Sequence, residues 1–208
     1  VSFRGSLYAR LRSLAYTVNA VGPVNAGGTD PLCAGYVGAT IGPDSFGNNI
    51  HSRIATIAAA TPTANRIVLM IGEEDLYGPN AATLGPTAAS RLTGLVTLIK
   101  STWPNAHLVI ATPPESLTST NNTRTWAQQL AAAAKAAEVA DYARVRARDL
   151  RDELEVARVL RAGEQHYFNS SSGYRWNTRG AQWVARLLCV EIQSVTPVAV
   201  GTEVWFSG

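Results

Sequence analysis

The sequence predicts an α/β fold, a three-layer α/β/α sandwich on a mostly parallel sheet. Three observations carry this. Segments with apolar residues at helical spacing alternate with short strand-like runs along all 208 residues. Two of those runs, 66–72 and 106–112, are apolar almost throughout, as strands covered on both faces are. No Gly- or Ser-rich linker and no internal repeat divides the chain, so a single domain over 1–208 is predicted.

The elements follow in order. Leu7, Leu11 and Leu14 lie at helical spacing within 6–14, and 16–21 then alternates like a strand. Residues 22–43 are rich in Gly and Pro and read as a long loop. A helix is predicted over 45–60, with Ile50, Ile54 and Ile57 on one face. After the strand at 66–72 come a helix at 87–102, a strand at 106–112 and an alanine-rich helix at 126–140. Residues 142–147 read as a strand, and 178–194 as an amphipathic helix that Asn177 can cap. Residues 198–206 close the chain as a strand. In sheets of this kind ligands gather where strands end at their carboxyl termini, so residues after Met70, Ala111 and Val200 are the informative ones.

Composition excludes several classes. With 46% hydrophobic and 16% charged residues, the chain is neither disordered nor a charge-rich coiled coil. No apolar run approaches the roughly 18 residues of a membrane span. The net charge of +3 is scattered: Arg144, Arg146, Arg148 and Arg151 are interleaved with Asp149, Asp152, Glu153 and Glu155, which reads as a solvated surface and not a nucleic-acid face. Cys33 and Cys189 are too few and too far apart for a metal motif; they read as two buried thiols or, in an oxidising setting, one disulfide. The opening Val1-Ser2-Phe3-Arg4 carries no signal-peptide pattern and reads as a mature or excised chain. Neither a cofactor nor a metal is expected.

Five stretches bear a likeness to one family. They are Phe3-Arg4-Gly5-Ser6-Leu7-Tyr8 with Val18-Asn19-Ala20-Val21-Gly22; Gly35-Tyr36-Val37-Gly38-Ala39-Thr40-Ile41; Ile67-Val68-Leu69-Met70-Ile71-Gly72-Glu73-Glu74-Asp75-Leu76; Pro104-Asn105-Ala106; and Asn177-Thr178-Arg179-Gly180. In order and content they resemble the SGNH/GDSL hydrolases, especially the carbohydrate-esterase branch, which implies an SGNH-hydrolase or flavodoxin-like sandwich. The family's opening Gly-Asp-Ser strand is missing from the N-terminus. Val198-Ala199-Val200-Gly201-Thr202-Glu203-Val204-Trp205 looks like that strand, moved to the other end. Joining Gly208 to Val1 restores the family order, so 196–206 is expected to replace the first strand by circular permutation. Donation of the strand to a neighbouring subunit, or an ordinary edge strand, are the alternatives.

Carried over position by position, the resemblance puts the nucleophile at Glu203, the oxyanion-hole glycine at Gly35, the oxyanion-hole asparagine at Glu74, the histidine at Arg175 and its aspartate partner at Ser172. Only Gly35 keeps the family residue. A carboxylate at Glu74 sets negative charge where an oxyanion develops, and a guanidinium does not act as a general base near neutral pH. The resulting expectation is a degenerate pocket in which Arg175 bridges Glu203 and Glu74. Glu73-Glu74-Asp75 could bind a cation through oxygens, but acidic residues in a first helical turn are explained by the dipole alone.

His51 and His107 fall within predicted elements and read as structural. His166 lies in a polar loop and is the fallback base, with Ser170, Ser171 or Ser172 as accompanying serines. Tyr167, Phe168, Tyr174 and Trp176 share that loop and could stack on a sugar or anchor the loop to the core. Two functions follow. One is a non-catalytic structural or recognition protein, a surface, virion or filament subunit that self-associates or meets neighbouring subunits and contacts glycan, with an extracellular or virion location. The other is a carbohydrate or acyl esterase of altered mechanism.

Overall fold

A computed structural model describes residues 3–14, 17–23, 34–36, 38–114, 120–151, 178–195 and 200–207. Its elements are α1 (Phe3–Ser13), β1 (Thr17–Val21), α2 (Ile50–Ala60), β2 (Arg66–Met70), α3 (Glu73–Tyr77), α4 (Ala81–Leu84), α5 (Ala88–Thr102), β3 (His107–Thr112), α6 (Asn121–Ala140), β4 (Val145–Asp149), α7 (Thr178–Val195) and β5 (Val200–Ser207). Helices and strands alternate as the apolar spacing predicts. Boundaries move where local chemistry overrides periodicity. The helix expected from residue 45 begins at Ile50, because Asn49 caps it by accepting from Ser52 N at 2.8 Å. The helix expected from residue 126 begins at Asn121, where Thr120 and Thr123 form a reciprocal capping box. The strand expected at 142–147 runs from Val145 to Asp149, since Asp141 first turns the chain by accepting from the Arg144 side chain.

The five strands form one sheet in the order β1-β5-β2-β3-β4, and every neighbouring pair is parallel. Parallel strands need covering on both faces, and alternation along β2 and β3 supplies it. Ile67 and Leu69 with Leu108 and Ile110 face α2, α5 and α6, burying Ile54, Ile57, Leu92, Leu95 and Leu130. Val68, Met70, Val109 and Ala111 face α1 and α7, burying Leu7, Leu11, Val184, Leu188 and Cys189. The architecture is thus the three-layer α/β/α sandwich. Among the described residues, no helix is long and apolar enough to cross a membrane.

The last strand is central, not an edge. β5 lies between β1 and β2 of its own chain, pairing Val18 with Gly201 on one side and Ile67 with Val204 on the other. β1 has β5 as its only neighbour in the sheet order. Removing β5 therefore strands β1 and leaves one side of β2 without its ladder. A chain ending after Val195 is expected to lose cooperative thermal unfolding followed by circular dichroism. A truncated chain that melts like the full one would contradict this placement of the strand.

Candidate functional site

Because all strands run the same way, their carboxyl ends share one edge of the sheet. In register, Ser207 pairs with Met70, Met70 with Ala111, and Ala111 with Arg148. That row marks the edge from which the chain leaves β2 and β3 for the segments that follow them. After Met70 the chain passes Ile71 and Gly72 into α3. Gly72 has φ +113, and a Cβ there would come within 2.6 Å of Leu130 Cδ2, so the turn demands glycine twice over. The Tyr77 hydroxyl donates to Pro114 O at 3.0 Å, joining α3 to the loop after β3.

The segment after β1 is fastened to α3 by charge. Asp75, on α3, has no solvent exposure. Its carboxylate accepts from Ile41 N at 3.1 Å and meets Arg91 Nη2 of α5 at 2.7 Å. Arg91 also donates to Leu84 O at 2.6 Å and through Nε to Thr87 Oγ1 at 3.2 Å, and faces Asp44 at 3.6 Å. Asp44 in turn accepts from Thr40 Oγ1 and from Phe46 N. One guanidinium thus holds the loop carrying Thr40 and Asp44 against the helix carrying Glu74 and Asp75. Burial pushes the Asp75 carboxyl up to about 6, the desolvation cost exceeding the pull of Arg91 and of the Ile41 amide. This bridge was not anticipated, although a signal existed. Arg91 falls three residues after Ala88 and four before Leu95, on the buried face of a predicted helix, where a cation requires a buried acid.

Of the anticipated site residues, Gly35, Glu74 and Glu203 fall among the described ones. Gly35 and Glu74 are both half-buried, Gly35 in the loop after β1 and Glu74 on α3. Glu203 lies further back along β5 than that strand's last residue, Ser207. The register partners of Glu203 are Ala20 and Arg66, the first residue of β2, at the amino end of the ladder. Four residues of strand separate it from Ser207, roughly 13 Å. The strand continues past Glu203 to Ser207. Glu203 pairs toward the amino end of β2 and Glu74 follows its carboxyl end, while Arg175, expected between them, lies outside the described residues. Ser207 replaces Glu203 as the residue where β5 reaches the loops. Arg175, Ser172, His166, Tyr167, Phe168, Tyr174, Trp176 and the serines at 170 and 171 lie outside the described residues, as does Cys33.

Of the acidic run after β2, Asp75 is engaged by Arg91 and the Ile41 amide. No group of three or more metal-ligating side chains occurs among the described residues. His107 opens β3, its pKa lowered from 6.5 by burial and by Arg66, Arg144 and Arg146. It lies in the row of Glu203 and Arg66, away from the loops. Cys189 is buried in the face packed by α1 and α7.

The parallel sheet flanked by helices is a fold shared with solved carbohydrate esterases. A family 3 carbohydrate esterase from Clostridium thermocellum superposes with a TM-score of 0.70 at 20% identity, covering 95% of this chain and 89% of that one. A family 3 carbohydrate esterase from Talaromyces cellulolyticus gives 0.71 at 16% identity, covering 95% and 93%. A protein described as a GDSL-like lipase from Parabacteroides merdae gives 0.54 at 16% identity, covering 70% and 66%. No family model and no curated protein matches the sequence.

The charge bridge has measurable consequences. Asp75 binds its proton more tightly folded than unfolded, so between about pH 4 and pH 6 the folded state holds the extra proton and stability falls as pH rises. Asp75→Asn is expected to remove that slope, up to about 1.4 kcal/mol per pH unit, in urea titrations at pH 4.5 and 6. Arg91→Met leaves two carboxylates facing each other and is expected to cost about 3–5 kcal/mol at pH 7. A Met variant as stable as wild type would show that the bridge does not hold the loop.

Proposed function

We propose that this chain is a carbohydrate O-acyl esterase of altered mechanism, with Ser207 as its nucleophile. The observation that carries the reading is the register of Ser207 with Met70, the last residue of β2 and two residues ahead of Gly72. The fold shared with two carbohydrate esterases supports it. Strand order supports the permuted connection to that fold. Counted from β5 as first and β1 as second, the order β1-β5-β2-β3-β4 becomes 2-1-3-4-5, that of flavodoxin-like sheets.

In this mechanism the Ser207 hydroxyl attacks the acyl carbonyl and passes its proton to a base. The tetrahedral intermediate expels the sugar hydroxyl, and water then releases the acid from the serine ester. His166 is the base, the one of the three histidines that the sequence sets in a polar run. Glu74 withholds the donor that an asparagine would supply, leaving the Gly35 amide and the fixed charge of Arg175 to stabilise the oxyanion.

A second reading draws on the same two substitutions. Glu74 in place of a donor and Arg175 in place of a base favour a recognition domain that holds acylated glycan without cleaving it, as part of a surface or virion assembly. Hydrolysis of p-nitrophenyl acetate and acetylated xylan separates the two. Turnover is expected, falling at least about a thousandfold in Ser207→Ala and strongly in His166→Ala. Absence of turnover by the wild-type chain, or full activity in Ser207→Ala, would overturn the esterase reading.

A further inference from the structure

The turn over residues 42–48 presents an aromatic ring that the core does not use. Its flanks are buried: Ile41 and Ile50 have no exposure and Asn49 has 3%. Phe46, between them, is 45% exposed. Yet the turn is held from several sides. Thr40 N donates to Asn48 O at 3.0 Å and Ile50 N to Thr40 O at 2.9 Å. Phe46 N donates to Asp44 Oδ1 at 2.9 Å, and Asp44 faces the Arg91 that grips Asp75. Gly47 takes φ +79, which closes the turn without strain. An exposed phenyl ring on so constrained a backbone has a fixed place beside the loops of the carboxyl edge. The other large apolar side chains exposed among the described residues, Leu14, Val139, Tyr142 and Val190, sit on or just beyond α1, α6 and α7.

Polar groups of suitable chemistry lie beside it. The Arg53 guanidinium stacks over Tyr36 at 4.2 Å and donates through Nη2 to Asn48 Oδ1 at 3.3 Å. Arg53 Nε is buried without a hydrogen-bond partner. A pyranose ring offers an apolar C–H face to an aromatic and a rim of hydroxyls to guanidinium and amide groups. We propose that Phe46 is the stacking platform of a sugar-binding subsite at the rim of this edge, with Asn48 and Arg53 as its polar wall. The subsite rests on the carbohydrate-directed reading above, but not on catalysis.

Binding is measured by calorimetry with acetylated xylohexaose and with its de-acetylated form. Phe46→Ala is expected to weaken both about five- to tenfold, while Phe46→Trp keeps or tightens them. Thermal melting of both variants checks that the exposed position leaves the fold intact. Equal affinity of Phe46→Ala and wild type, or a wild-type chain that binds neither oligosaccharide, overturns the subsite. Turnover of p-nitrophenyl acetate by the wild-type chain reports separately on the esterase reading. A chain that binds through Phe46 without turnover keeps the subsite and loses the esterase, and one with turnover but no sugar binding does the reverse.

Discussion

The parallel pairing of β5 between β1 and β2 is the constraint on which the rest of the structure depends. β1 meets the sheet only through β5, so the last eight-residue strand joins the first strand to the core. β5 pairs with β1 over Val200–Val204 and with β2 over Glu203–Ser207, so a slip of one residue would change its register against both neighbours. Register therefore fixes more than topology. It decides which residue of β5 reaches the loops at the carboxyl edge, and that residue is Ser207, not Glu203.

The edge itself is organised by charge. Asp44, Arg91 and Asp75 link the segment after β1, the start of α5 and α3 through contacts largely shut off from water. Taken singly, such a buried pair adds little net stability, because desolvation offsets attraction. Its value lies in geometry: with Asp75 anchored, neighbouring Glu74 has a fixed backbone position. With Asp44 anchored, the turn bearing Phe46 is fixed as well. One arginine thus sets the relative position of the loop bearing Phe46 and the helix bearing Glu74.

Much of the fold was legible in the sequence because apolar spacing is a local signal. Ile67, Val68, Leu69 and Met70 read as a doubly covered strand, and the structure buries all four. Ile50, Ile54 and Ile57 marked the buried face of α2 at the spacing found. Caps were harder to read, since Asn49 and Thr120 act through hydrogen bonds that periodicity does not register. The site was the least legible part. Matching a motif along the sequence gave weight to Gly201, whereas position in a sheet is decided by pairing with β1 and β2, far away in the chain. The Asp44–Arg91–Asp75 bridge likewise joins residues that only the fold brings together.

The most direct measurement is a disulfide trap of the register. Paired residues on adjacent parallel strands lie within the Cα separation that a disulfide spans, whereas a four-residue offset lies far outside it. With Cys33→Ser and Cys189→Ala as background, Met70→Cys combined with Ser207→Cys is expected to cross-link within one chain on mild oxidation, and Met70→Cys with Glu203→Cys to stay reduced. Cross-linking of the Glu203→Cys pair instead, or bonds formed only between chains, would contradict both the central strand and the site built at its end.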